Sequence, residues 1–220
     1  MTSILTPDLA DTSANLEGGP ASAAIRWARD TYGDDLVLAA SFQDCVLIDL
    51  AVNLDPTVEV VFLDTQYHFP ETLEYVETVR ERYDLNLRVI SPDVAPDDLW
   101  RTDTEACCRL RKVETLRRAL EGRTAWMTGL RRCDSLGRAD TPVVEWDAAR
   151  GLVKVNPIAA WTDADVAAYA AERDLPEHPL VAAGYPSIGC WPCTQRVADG
   201  ADARSGRWAG TDRTECGLHL

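Results

Sequence analysis

The chain has 220 residues, 46% of them hydrophobic and 26% charged, which is ordinary globular composition and enough for one sizeable domain with a buried core. Its formal net charge of −14 argues against a nucleic-acid or membrane-surface binder, because those partners select a basic face. No apolar run approaches the roughly 20 residues of a membrane span, and the N-terminus lacks the charged-then-apolar order of an export signal, so the expected compartment is the cytoplasm.

In chain order, residues 1–19 are rich in Ser, Thr, Asp and Gly without clear periodicity and read as a flexible tail. Ala21 to Tyr32 reads as a helix with Ile25 and Trp27 as candidate buried positions, and Leu36 to Ser41 as a short buried strand. Ser41-Phe42-Gln43-Asp44 turns the chain into a buried helix over Cys45 to Asn53. The alternation then repeats: strand Val58 to Leu63, helix Pro70 to Tyr83 with proline at its favoured first position, strand Leu87 to Ile90, helix Ala106 to Leu120, strand Thr124 to Thr128. Leu152 to Val155 reads as a further strand and Thr162 to Arg173 as a helix capped by Thr162. Strands alternating with helices predict a single α/β domain over residues 20–198, a mostly parallel sheet covered on both faces. Residues 199–220 turn to Gly, Asp, Ala and Arg and read as a mobile C-terminal segment.

The chemistry concentrates in cysteine. Cys190-Trp191-Pro192-Cys193 has the C-x-x-C spacing that grips a metal or cluster, with Pro192 stiffening the turn. Cys107 and Cys108 are immediate neighbours, whose side chains diverge on a regular helix, so they suit a larger object met at a helix end or bend. Spacing alone leaves open a structural zinc, a redox C-x-x-C beside an unrelated pair, and a cubane iron–sulfur cluster. A third feature is Cys216 within Glu215-Cys216-Gly217-Leu218-His219, a thiol with Arg204, Arg207 and Arg213 nearby in sequence to favour its thiolate. His219 reads as incidental, and Cys45 and Cys133 as ordinary thiols, Cys45 buried. Ligands of parallel sheets bind at the carboxyl ends of the strands, and that edge should hold Ser41, Asp64, Thr65 and the adjacent Arg131 and Arg132, a candidate anion clamp. Neither standard phosphate-loop motif is present. Lys112, one of only two lysines, lies four residues after Cys108.

These residues resemble the assimilatory adenylyl-sulfate (APS) reductases, the cluster-containing branch of the phosphoadenylyl-sulfate (PAPS) reductase family. The resemblance rests on Leu63-Asp64-Thr65 with His68-Phe69-Pro70-Glu71-Thr72, on Cys107-Cys108-Arg109-Leu110-Arg111-Lys112, on Thr128-Gly129-Leu130-Arg131-Arg132, on Ser187 to Thr194, on Gly206-Arg207-Trp208 and on the terminal Glu-Cys-Gly-Leu-His. It implies an adenine-nucleotide alpha hydrolase-like fold related to the ATP pyrophosphatases. It implies one [4Fe-4S] cluster on Cys107, Cys108, Cys190 and Cys193. Cys216 is then the nucleophile that takes sulfur from APS and leaves AMP, and thioredoxin or a glutaredoxin-like reductant releases sulfite. Lys112 would bridge cluster and substrate, Arg204 and Arg207 would meet the substrate as the tail closes, and a homodimer or homotetramer is expected. The chain departs from the family where a glycine-rich loop is replaced by Ser41 to Asp44 and where Asp-Thr-Gly becomes Asp64-Thr65-Gln66. Rival readings are a PAPS reductase, which usually lacks both cysteine pairs, an ATP-pyrophosphatase relative such as a sulfate adenylyltransferase, whose Ser-Gly-Gly-x-Asp-Ser loop is missing, and a zinc-stapled binding module.

Overall fold

The computed structural model describes residues 8–211, 213 and 215–219. Six strands form one sheet in the order β3-β2-β1-β4-β6-β5. They are β1 (Leu36–Ala40), β2 (Glu59–Leu63), β3 (Leu87–Ile90), β4 (Ala125–Thr128), β5 (Val144–Asp147) and β6 (Leu152–Val155). All neighbours run parallel except β5, which pairs antiparallel with β6 at the edge.

Strand side chains alternate between two cores, as the period of two requires. Leu36 and Leu38 of β1, Val60 and Phe62 of β2, and Ala125 and Met127 of β4 enter one core with α2 (Ala21–Tyr32), α3 (Val46–Val52) and α4 (Pro70–Tyr83). Val37, Val61 and Trp126 point the other way, against Leu116 and Ala119 of α7 (Glu114–Ala119). The predicted parallel sheet with helices on both faces is therefore the observed architecture. No described helix is long and apolar enough to cross a membrane.

Three local expectations need correction. The stretch read as a flexible tail folds from Asp8 onward: α1 spans Leu9–Leu16, the Asp8 carboxylate accepts the Ala10 and Asp11 N–H groups, and Ser13 is buried with its hydroxyl accepting the Val144 N–H at 3.1 Å. Its pattern was missed because one narrow face, not a long periodic run, does the packing; residues 1–7 of the expected tail lie outside the described residues. Strand β5 is not legible in the sequence because this edge strand, with exposed Trp146 and partly exposed Glu145 in its middle, lacks the continuous apolar run of a buried strand. The single helix expected over Ala106 to Leu120 is three pieces: α6 (Thr104–Cys108), a π-helical turn over Arg109–Val113, and α7. A short helix α5 (Leu99–Thr102) precedes it. On the C-terminal side, α8 (Asp163–Glu172) carries a full Thr162/Asp165 capping box, and α9 (Pro179–Ala182) follows.

A strand-end cavity with a docked cysteine tail

The two departures from a glycine-rich pattern keep glycine-like backbone. Phe42 has φ 55° and Gln66 has φ 67°, a region that non-glycine residues seldom enter. Each is anchored by its side chain. Phe42 is fully buried edge-on to Phe62, ring centroids 5.3 Å apart, and the Gln66 amide oxygen accepts a hydrogen bond from Arg111. The loop after β1 is also tied across the site, because Gln43 Oε1 accepts the Ile188 N–H at 3.0 Å.

Beyond the strand ends lies a cavity of about 320 Å³. Ser41, Thr65, Thr128 and Arg131 line it from the strand side, Lys112 from the π-helical turn, and Arg204, Arg207 and Cys216 from the C-terminal segment. Asp64 is not in the lining. Its carboxylate accepts the Gln66 N–H at 2.8 Å, so it shapes the turn. The expected Arg131–Arg132 clamp does not form. Arg131 borders the cavity but pairs with Asp134 at 2.8 Å and Asp163 at 2.9 Å. Arg132 turns away, giving both terminal nitrogens to Glu17 at 2.7 Å and Nε to the Thr141 carbonyl.

All seven cysteines are free thiols. Cys107 and Cys108 sit buried at the end of α6, where the chain passes into the π-helical turn, a distortion common at functional sites. The second pair brackets a one-turn 3₁₀ segment, Trp191–Cys193, with Cys190 as its extended N-cap and Cys193 as its last residue, stitched down by Trp191 N–H to the Tyr67 carbonyl at 2.8 Å and by Trp208 N–H to the Cys193 carbonyl at 3.0 Å. Cys107 and Cys190 share a small buried cluster with Tyr67, and Thr65 Oγ1 is 3.2 Å from Cys190 Sγ. Burial pushes the Cys107 thiol up, and Cys190 and Cys193 push it further against the pull of Arg111. Among the described residues no three His, Cys, Asp or Glu side chains close on a single ion position.

The strap from Glu215 to His219 lies in the site. Gly217 takes φ 86°, a left-handed turn suited to glycine, and this brings the Leu218 N–H back onto the Cys216 sulfur. Burial alone would raise the Cys216 thiol, but Lys112, the Leu218 N–H and Arg207 together hold it below the ordinary thiol range. Lys112 feels the reverse: burial opposes its charge, and the Cys190 and Cys216 sulfurs more than offset this. For Arg207, burial and the neighbouring Arg204 work against the charge and outweigh the support of the Cys216, Cys190 and Cys193 sulfurs. Gly189 makes room for that guanidinium, since a Cβ there would overlap Arg207 Nη2.

Three contributors went unread in the sequence. The His219 ring, which the sequence marks as incidental, stacks on Trp126. Arg150 Nη2 donates to the Leu218 carbonyl at 3.0 Å. Arg138 grips the Glu215 carboxylate through Nε at 2.7 Å and Nη2 at 2.6 Å. Nothing in the local pattern around Arg138 separates it from a solvated arginine; only its place opposite the tail does.

A mostly parallel α/β sheet with a cavity at its strand ends, lined by charged side chains and by a cysteine of the C-terminal strap, has the architecture of a nucleotide-binding fold. The sequence profile of the phosphoadenosine phosphosulfate reductase domain matches residues 35–196, and the chain belongs to that family. It is 46% identical over 215 residues to the adenosine 5'-phosphosulfate reductase of Mycobacteroides abscessus, covering 94% of this chain and 91% of that protein. It is 44% identical over 232 residues to the protein of the same name from Mycobacterium tuberculosis, again covering 94% and 91%. Among solved structures it resembles a phosphoadenylyl-sulfate reductase from Candida auris crystallised with phosphate, with a TM-score of 0.76 and 29% identity over 86% of this chain and 97% of that one. The Candida glabrata FMN adenylyltransferase, at 16% identity and a TM-score of 0.62 over 86% of this chain and 68% of that one, shares the fold.

Proposed function

We propose that this chain reduces adenylyl sulfate to sulfite and AMP for sulfate assimilation, using Cys216 as nucleophile and thioredoxin or a related dithiol as reductant. One observation carries the reading: the docked strap sets Cys216 in the strand-end cavity together with Lys112 and Arg207. The names of the 44–46% identical relatives support APS as the substrate.

The residues divide the work as follows. The Cys216 thiolate attacks the sulfate sulfur; a sulfur–sulfur bond forms, the sulfur–oxygen bond to the phosphate breaks, and its electron pair leaves on AMP. Lys112, Arg204 and Arg207 offset the negative charge that gathers on the leaving phosphate. A thiolate of the reductant then attacks Cys216 Sγ, sulfite departs with the electron pair of the sulfur–sulfur bond, and the reductant's second thiol frees Cys216 as a thiolate. Both electrons come from the dithiol. Apolar Leu47, Leu130 and Ile158 in the cavity wall suit an adenine ring. Opening and closing of the 199–220 segment would admit substrate and then reductant.

Cys107, Cys108, Cys190 and Cys193 fit a [4Fe-4S] cluster: four free thiols on two neighbouring segments, one pair at a distorted helix end. When bound, the cluster supplies a fixed negative charge and a cross-link between those segments, with no electron passing through it. Lys112, whose charge is favoured by Cys190 and Cys216, is suited to stand between that charge and the substrate's. A cytoplasmic setting would keep the seven thiols reduced.

The test is the intact mass of anaerobically purified protein after incubation with APS or PAPS without reductant. The expected result is gain of one SO₃ group from APS, mapped to Cys216 and released as sulfite by thioredoxin. A gain only from PAPS would change the substrate; no adduct from either, with four ligand cysteines loaded, would refute the chemistry.

A further inference from the structure

The Glu215 carboxylate is the best-satisfied polar group of the C-terminal strap. It accepts Arg138 Nε at 2.7 Å and Nη2 at 2.6 Å, a bidentate pair, and the Ser135 hydroxyl at 2.9 Å, with Arg204 Nη2 at 3.9 Å. The two partners are only 11% and 12% exposed, so little water screens them. Arg138 is itself held. Its Nη1 bonds Asp134 Oδ2 at 2.9 Å, Asp134 Oδ1 bonds Arg131 Nη2 at 2.8 Å, and Arg131 Nη1 reaches Asp163 at the start of α8 at 2.9 Å. An alternating row of charges thus runs from α8 to the residue immediately before Cys216. The cavity keeps its volume of about 320 Å³ with the strap in place, within the range of small-molecule sites, so the docked strap leaves room for a nucleotide.

We infer that Glu215 is a positioning residue: its carboxylate, clasped by Arg138 and Ser135, sets Cys216 in line with the bound substrate. This rests on Cys216 being the nucleophile, as proposed above. A nucleophile on an irregular segment has no helix or strand to aim it, and the clasp supplies the missing constraint one residue away. Misplacement of a reacting atom by about 1 Å costs on the order of a hundredfold in rate.

The test compares Glu215→Gln with the parent holoenzyme. SO₃ transfer to Cys216 at saturating APS should slow about a hundredfold, while the APS dissociation constant, measured in a Cys216→Ser background with and without Glu215→Gln, should stay within about twofold, since a positioning group acts on the reacting state and not on ground-state affinity. Alkylation of Cys216 by iodoacetamide, mapped by mass and compared at a pH where the thiol is fully ionised in both proteins so that loss of the Glu215 charge does not enter, should accelerate as the strap loosens. Glu215→Asp, which keeps the charge, should recover part of the transfer rate, and Ser135→Ala should show a smaller loss in the same direction should the glutamine variant fold poorly. An unchanged transfer rate in both variants would overturn the inference. So would markedly tighter APS binding by the glutamine variant, because Glu215 would then be occupying the substrate's own anion position. Failure of the parent to form any adduct would instead strike the proposed reaction, and the alkylation comparison would still decide whether the clasp holds the strap.

Discussion

The His219 ring stacks on the Trp126 ring, centroids 6.0 Å apart and planes 5° from parallel. Trp126 is central β4, 1% exposed, so the last described turn of the chain is pinned to the middle of the sheet. Aromatic pairs contribute about 0.5–1.5 kcal/mol beyond area burial, so His219→Ala should lower the rate of SO₃ transfer to Cys216 by roughly two- to thirteenfold. Single-turnover mass measurements would check this. No change would mean that the stack is not needed to seat the strap.

Lys112→Ala should cut the SO₃ transfer rate far more than it weakens APS binding. Its charge matters most when negative charge builds on the leaving phosphate, and removal of one such stabilising group costs about 100- to 1,000-fold. Separate determination of the transfer rate and the APS dissociation constant decides the matter; equal losses in both would make Lys112 a ground-state binding group.

The Cys216 thiol is held below its ordinary range, with burial opposed by Lys112, the Leu218 N–H and Arg207. A depressed thiol pKa means that thiolate persists to lower pH than for a free cysteine. The pH midpoint for iodoacetamide alkylation of Cys216 should therefore fall below about 8.5, and Lys112→Ala should move it upward. A midpoint at or above the free-thiol value would contradict the arrangement.

His178 is 1% exposed, its Nε2 3.0 Å from Thr72 Oγ1 and its Nδ1 accepting the Leu180 N–H that starts α9. Burial, only partly opposed by Glu71, lowers its pKa to about 4. The unfolded chain binds this proton near pH 6.5 and the folded chain only near 4, so between those values the unfolded state carries more protons and stability falls as pH falls. Denaturant midpoints measured from pH 7 down to pH 4.5 should decline less steeply in His178→Gln, whatever its stability at pH 7.

Iron and acid-labile sulfide should be present in the ratio of one [4Fe-4S] cluster per chain. Cys190→Ser should lose both, whereas Cys216→Ser should retain them and lose only turnover. Retention of full iron by Cys190→Ser, or its loss from Cys216→Ser, would redraw the ligand set.

Much of this was legible in the chain itself. Helices Ala21–Tyr32 and Pro70–Tyr83, strand Leu87–Ile90 and the Thr162 cap follow from period, proline position and capping chemistry, which are local properties. Spacing picked out the two cysteine pairs but left open whether they serve one group; the family resemblance joined them. The π-helical turn after Cys107-Cys108 agrees with the argument that adjacent cysteines need a bend. What spacing could not settle was which arginines face the cavity. Arg131 and Arg132 are neighbours of one type at one strand end, yet Asp134 and Asp163 claim one and Glu17 claims the other. Asp134 is a local i,i+3 partner, but Asp163 and Glu17 come from α8 and the chain beyond α1, segments that reach this strand end only on folding.

The sequence by itself determined the parallel sheet and the order of its strands and helices, because hydrophobic period, proline position and capping chemistry act over a few residues. Tertiary structure alone decided that Gln66 and Phe42 hold the backbone angles glycine would otherwise supply, since each depends on a distant anchor, Arg111 and Phe62. It also decided that Glu215 meets Arg138 and His219 meets Trp126. An ion pair or a ring stack between residues 77 or 93 positions apart leaves no periodic trace in sequence; its partners are chosen by which surfaces the folded sheet brings within reach.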